Sequence, residues 1–232
     1  MASSDEPLTT SPPSTPSAPS AWRGRAVTRS LERSRARAEL RSEQFVETAL
    51  ELIEETGDSE FTVQEITDRM RVSTKTFYQY FSGKDDLLVA LFEEAQRERS
   101  RNLREAVAAA SDPLARLRAF VIGSQGPATN PGVARLLVKQ YFRLQLTHPE
   151  DLRATFQGNT AYLRDLIADA AAVGAVRSTD HDRTAALVLQ LITTAIQANI
   201  LGSPLVDPPS TPEEVWEFCR VGLDVADARG AN

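Results

Sequence analysis

One cysteine and two histidines among 232 residues leave little material for thiol or imidazole chemistry. Cys219 alone can close no internal disulfide and build no multi-thiolate zinc site, which is compatible with a reducing compartment and a cytoplasmic protein. His148 and His181 are far apart, each beside an expected helix start, and neither belongs to a metal-spacing motif. Glycine-rich phosphate loops are missing, and the pair Asp85-Asp86 fits a helix N-terminus better than acid–base work. No catalytic residue, metal or cofactor is therefore expected, and the chain does not read as an enzyme. No run approaches the roughly 18 apolar residues of a membrane span, so no membrane partner is expected. Strand alternation and repeats of 20 to 50 residues are also lacking, which leaves an all-α chain whose 41% apolar content can bury a core.

The composition divides the chain. Residues 1–21 hold Pro7, Pro12, Pro13, Pro16 and Pro19 among serines and threonines, the make-up of a disordered tail without a signal-type apolar segment. Residues 22–41 form a basic arm with seven arginines against Glu32 and Glu39, in a chain whose net charge is −6. Such an arm can follow a DNA backbone or enter a minor groove, or it can be a solvated, partly helical extension. Residues 42–88 then read as three short helices, and 89–228 as a longer helical domain. The first of the three, Ser42 to Thr56, carries Phe45, Val46, Ala49, Leu50, Leu52 and Ile53 at helical spacing and stops at Gly57. Its glutamates 43, 47, 51, 54 and 55 must face away from any phosphate.

The stretch Thr62 to Leu88 organises the rest. Thr62 and Glu65 form a T-x-x-E capping box, so a helix starts at Val63 and buries Val63, Ile66 and Met70. Phe61 plugs the gap behind it, Val72 plugs the turn, and Ser73 caps a second helix over Thr74 to Tyr80 that buries Phe77 and Phe81. Its remaining surface, Thr74, Lys75, Thr76, Tyr78 and Gln79, offers hydroxyls, an amide and one cation but no carboxylate. Hydroxyls and lysine suit phosphate oxygens, lysine also suits guanine, and glutamine can pair with an adenine edge. Lys84 lies just past the helix end, in reach of backbone phosphate. A short amphipathic helix exposes polar residues without binding DNA, so this pattern alone decides little. Ser82 and Asp85 supply a cap and a first-turn acid for a third helix from about Lys84 toward Ala110.

VSTKTFYQYFSGKDDLL resembles the signature of the tetracycline-repressor (TetR) family of bacterial transcriptional regulators, a likeness specific over about residues 42 to 92. Thr76, Phe77, Tyr78, Tyr80, Phe81, Lys84, Leu87 and Leu88 fall on the family pattern. The departures are Thr67, Met70 and Arg71, where the family usually has small residues and a glycine. Either the turn opens slightly to admit Arg71, or Arg71 is itself a phosphate contact. The resemblance and the residue types together nominate Thr62, Arg71, Ser73, Thr74, Lys75, Thr76, Tyr78, Gln79, Tyr80 and Lys84 for contact with double-stranded DNA.

Past the third helix, whose charge-dense middle QRERSRNLRE suits a bridge between two packed regions, helices are expected at about 113–124, 131–146, 149–172, 180–201 and 211–228. Asp112-Pro113, Asn130-Pro131, His148-Pro149 and the box Thr211-x-x-Glu214 mark their starts. The helix from Asp180 to Leu201 is apolar on nearly every side, which predicts burial all round in a large core or at a subunit contact. The resemblance implies that the last two long helices form a four-helix homodimer interface, setting two recognition helices about 34 Å apart on a quasi-palindromic site. It also implies an unidentified small-molecule effector. Gln190, Thr193, Thr194 and Gln197 either bond that ligand or face solvent or a partner subunit. Phe120, Tyr141, Phe142, Phe156, Tyr162 and Leu163 either wall its pocket or pack as ordinary core.

Two functions follow. The first is a dimeric DNA-binding repressor released from its operator by a ligand. The second is a helical ligand-binding or scaffold protein with weak, non-specific DNA binding, suggested by Arg71 and the acidic first helix.

Overall fold

The computed structural model describes residues 21–57, 61–205 and 207–225, with the side chains of 21–25 left aside. The expected disordered tail lies outside this range apart from Ala21. Nine helices and no strand occur among the described residues: α1 (Ala21–Thr56), α2 (Val63–Arg69), α3 (Thr74–Phe77), α4 (Lys84–Ala108), α5 (Pro113–Gly123), α6 (Pro131–Thr147), α7 (Pro149–Ala172), α8 (His181–Leu201) and α9 (Pro212–Gly222). The described residues up to Ser42 and those from Glu43 on form separate units. Within the first, α1 is already helical and solvated, with an Arg35–Glu39 bond at 2.9 Å.

The expected break at Ser42 does not occur. Arg25 to Thr56 holds neither glycine nor proline. Ser42 returns its hydroxyl to the Ala38 and Glu39 carbonyls, at 3.1 and 2.8 Å, instead of capping a new helix.

In the larger unit two hydrophobic cores lie along α4. One gathers Phe45, Ala49 and Ile53 of α1, Ile66 of α2, Phe77, Phe81, the first turns of α4, and Leu136 and Leu144 of α6. The other gathers Leu103 and Val107 of α4 with Leu117 and Phe120 of α5, Leu163 and Ile167 of α7, Val188 and Ile192 of α8, and Trp216 of α9. The charge-dense middle of α4 spans the interval between them, as its composition predicts. At the α1 C-terminus, Gly57 takes a left-handed φ of 82° and α6 approaches so closely that a Cβ on Gly132 would lie 2.7 Å from the Gly57 carbonyl oxygen. Beside it the Asn130 amide donates to Glu54 at 2.6 Å.

Five further expectations are corrected. The second helix of the helix-turn-helix is one turn, Thr74–Phe77; past the cap residue Tyr78, Gln79 and Tyr80 continue as turns bonded i to i−3, the Gln79 N–H to Thr76 at 3.2 Å and the Tyr80 N–H to Phe77 at 2.9 Å. α4 is not capped by Ser82: Gly83 holds the cap position, and the Ser82 N–H donates to Asp86 at 2.7 Å. α8 is not buried all round. Ala185, Val188, Ile192 and Ala195 form one buried stripe, while Leu187 is 51% exposed. Contrary to the expectation that no run is apolar enough, α8 is by length and composition able to cross a membrane, and most of it is not buried inside this chain. α9 ends at Gly222 because Asp224 turns left-handed (φ 47°) and the Val225 N–H returns to the Arg220 carbonyl at 3.1 Å, while the Arg177 N–H donates to the Leu223 carbonyl at 3.1 Å. Residues 226–228 of the expected helix lie outside the described range.

Candidate nucleic-acid interface and cavity

α2 starts where its capping box dictates. The Thr62 hydroxyl accepts from the Glu65 N–H at 3.2 Å, and Glu65 takes the Thr62 N–H at 2.7 Å. The Thr62 hydroxyl, donating to the Glu65 carboxylate at 2.8 Å, and then the Thr62 N–H hold that carboxyl below its usual range. The turn after α2 is closed, not opened. The Arg71 N–H reaches the Asp68 carbonyl at 3.1 Å and the Val72 N–H the Thr67 carbonyl at 2.9 Å, the paired bonds of a Schellman cap. Arg71 occupies the left-handed position of that cap, φ 55°, with its side chain in solvent. The glycine-like conformation survives without the glycine.

Ser73 caps α3, accepting from the Thr76 N–H at 3.2 Å. Phe77 turns inward, stacked on Phe81 at 5.4 Å and edge-on to Phe45 at 5.5 Å, and this aromatic cluster fixes the rotation of α3. Thr74, Lys75, Tyr78 (59% exposed) and Gln79 consequently point to solvent on one face, beside Arg71 and Ser73. Thr76 is half-buried. So is Tyr80, whose ring sits 5.8 Å from Phe45. Lys84 lies over the Phe61 ring at 5.0 Å, and Thr62 is exposed but engaged in its capping box. Arg69 forks onto Glu55 and lies 3.9 Å from Glu51, which draws both acids of α1 toward protein; the Arg69 bond holds Glu55 below its usual range.

The second feature is a cavity of about 450 Å³ where the two cores fail to meet, a size usual for small-molecule sites. α4 contributes Phe92, Ala95, Arg99, Leu103 and Ala106, one helical stripe; α5, α6, α7 and α8 close the rest, and Leu50 and Glu54 of α1 reach it as well. Of the side chains nominated from sequence, Phe120, Tyr141, Phe156, Thr193 and Gln197 line it. Burial raises the Tyr141 hydroxyl above its ordinary value. Phe142 does not line it, being 66% exposed. Tyr162 packs behind Phe120 at 5.9 Å, under the Arg104 guanidinium, and Leu163 is core. Gln190 and Thr194 are exposed, because the polar stripe of α8 straddles the cavity rim and only the Thr193 and Gln197 side turns inward.

Sequence reasoning missed Arg99 and Asn159. Asn159 is buried, accepts from Ser100 at 2.8 Å, and lines the cavity. The spacing of Phe92, Ala95, Arg99 and Leu103 carried the signal for Arg99, hidden within a segment that reads simply as charged. Among the described residues no group of three or more His, Cys, Asp or Glu could hold a metal ion.

An exposed, carboxylate-free helix face set by a capped turn, on a three-helix unit joined through α4 to a cavity-bearing helical domain, defines a helix-turn-helix DNA-binding regulator. Residues 45–91 match the family model of bacterial regulatory proteins, tetR family. The transcriptional regulator AcuR of Cereibacter sphaeroides shares 35% identity over 185 residues, 76% of this chain and 79% of that protein. The chain belongs to the TetR family of transcriptional regulators. The regulator BetI of Brucella canis is 32% identical over 82 residues, 35% of this chain and 41% of that protein. Two solved structures share the fold. A TetR-family regulator from Pectobacterium atrosepticum aligns with TM-score 0.62 at 18% identity, covering 82% of this chain and 92% of its own. Thermus thermophilus FadR, a repressor in complex with lauroyl-CoA, aligns with TM-score 0.61 at 21% identity, covering 82% and 99%.

Proposed function

We propose that the chain is a dimeric repressor that binds a quasi-palindromic operator and leaves it when a small molecule fills the cavity. The observation that carries this reading is the double role of α4: its first turns pack under Phe77 and Phe81, and its middle walls the cavity. A molecule that spreads the cavity presses on α4 and on the end of α1, and a shift of either changes the placement of α3. Thr74, Lys75, Tyr78, Gln79 and Arg71 meet DNA from the exposed face. Thr62, Ser73, Thr76, Tyr80 and Lys84 complete the contact from its margins, Ser73 and Thr62 also serving as caps.

The dimer is supported by the apolar surface on the last two helices. Phe218 is 71% exposed and Val221 equally so, one turn apart on α9, and Leu187 of α8 is also exposed. A second copy of the same pair would cover them in a two-fold four-helix contact. The scaffold alternative is weakened, since the turn at Arg71 closes normally and three of the five glutamates of α1, Glu51, Glu54 and Glu55, have protein partners.

The test is selection of the full chain on randomised duplex DNA at near-physiological salt. Enrichment of an inverted repeat is expected. Binding with a steep salt dependence and no preferred site would favour the scaffold reading instead.

A further inference from the structure

We propose that the cavity ligand is an apolar molecule carrying a single carboxylate, and that Arg99 is the residue that grips it. This rests on the reading of the cavity as an effector site. Arg99 lies mid-stripe on α4, with Phe92 and Ala95 on one side and Leu103 and Ala106 on the other, so its stem and head run along the cavity wall. One nitrogen is used: Nη1 donates to the Ser124 carbonyl at 2.7 Å and the Gly126 carbonyl at 3.4 Å, the acceptors left over at the end of α5. These bonds anchor the guanidinium plane. Nε and Nη2 have no partner among the described residues, and Arg99 forms no ion pair there.

A partly buried cation without a counter-charge is costly. Burial pulls the Arg99 guanidinium below its ordinary range, and no neighbouring carboxylate offsets it. Three acids do line the cavity, but elsewhere. Glu54 accepts from Asn130 at 2.6 Å, Glu94 pairs with Arg97, and Glu94 and Glu98 follow one another four residues apart on the flank of α4, rotated away from the Arg99 stripe. The open Nε–Nη2 edge is one fork, the shape that takes the two oxygens of one carboxylate side by side. Most of the remaining wall, with Leu137, Phe156, Leu189, Ile192 and Ile196, wants hydrocarbon, while Asn159, Thr193 and Gln197 add a few uncharged polar groups. The flanking acids would repel a head group of higher charge.

Titration calorimetry of the full chain with decanoate, decan-1-ol, decylamine and decyl phosphate tests this. Decanoate is expected to bind about 10-fold or more tightly than decanol, which offers the same chain without the charge. Decylamine and decyl phosphate should both bind more weakly than decanoate. In Arg99→Gln decanoate should fall to the level of decanol while decanol is unmoved, and Arg99→Lys should keep part of the preference. Decanol matching decanoate on the native chain, decyl phosphate exceeding it, or a preference that survives in folded Arg99→Gln would overturn the proposal while leaving the cavity an effector site. Failure of all four to bind would sink both. The native-chain comparison stands even if Arg99→Gln does not fold.

Discussion

Replacing Arg71 with glycine separates two roles that one residue combines. Its backbone is held at φ 55° by the two bonds that close the turn between α2 and α3. A side chain in that region costs about 1–2 kcal/mol. Glycine removes the cost but gains conformational freedom in the unfolded chain, which offsets about 0.4–1 kcal/mol. The net gain is therefore about 0.8 kcal/mol at the centre of those ranges and about 0–1.6 kcal/mol at their extremes, the central value worth about 2–3 °C in Tm for a chain of this length. Arg71→Ala keeps the strain and should show no gain. Thermal unfolding of the three proteins at one protomer concentration measures the difference. Both substitutions remove the exposed cation equally, so both should weaken operator binding alike and reduce the slope of log K against log salt by about two per bound dimer, one for each protomer. A glycine variant no more stable than the alanine variant would refute the strain argument. A salt slope unchanged in both would refute the phosphate contact.

Tyr78→Ala and Lys75→Ala should each weaken operator binding without altering helicity or Tm, since both side chains are exposed; unchanged affinity in a footprinting titration would remove them from the interface. Gly132→Ala puts a methyl 2.7 Å from the Gly57 carbonyl, backbone against backbone, and should cost about 1–3 kcal/mol where a helical Gly→Ala ordinarily gains. A rise in Tm would show that the α1–α6 contact is looser. The Asp86 carboxyl is held below its usual range by Ser82, chiefly through hydrogen bonds, with His148 at 3.6 Å adding to the effect. A depressed folded pKa contributes stability that is complete above the unfolded value, about 3.9, and disappears as pH falls below it through the lower folded value. Asp86→Asn should therefore be less stable than the native chain at pH 7 and approach it at strongly acid pH; a pH-independent gap would contradict this.

Local chemistry alone determined most helix starts. Thr62 with Glu65, Ser73, Asp112-Pro113, Asn130-Pro131 and Thr211 with Glu214 place helix starts through bonds that span three residues, so nothing distant is needed to read them. The exposed face of α3 was equally readable, because Phe77 and Phe81 must be buried and their neighbours cannot be. Boundaries without a local stop signal were not: α1 runs straight through Ser42, and α3 gives way after one turn.

Only the tertiary structure decided the cavity. A gap between two cores is a property of how α4, α5, α6, α7 and α8 are spaced, and periodicity reports which face is apolar without saying what that face meets. Phe120 and Tyr162 are alike in sequence, yet the first lines the space and the second packs behind it. Arg99 reads as one more charge on a bridging helix until the carbonyls of Ser124 and Gly126, some 25 residues on, fix its head against the apolar wall. The same limit governs α8. Its composition calls for burial all round, but one stripe packs into this chain's core, a second side faces the cavity, and Leu187 and Leu201 stay exposed.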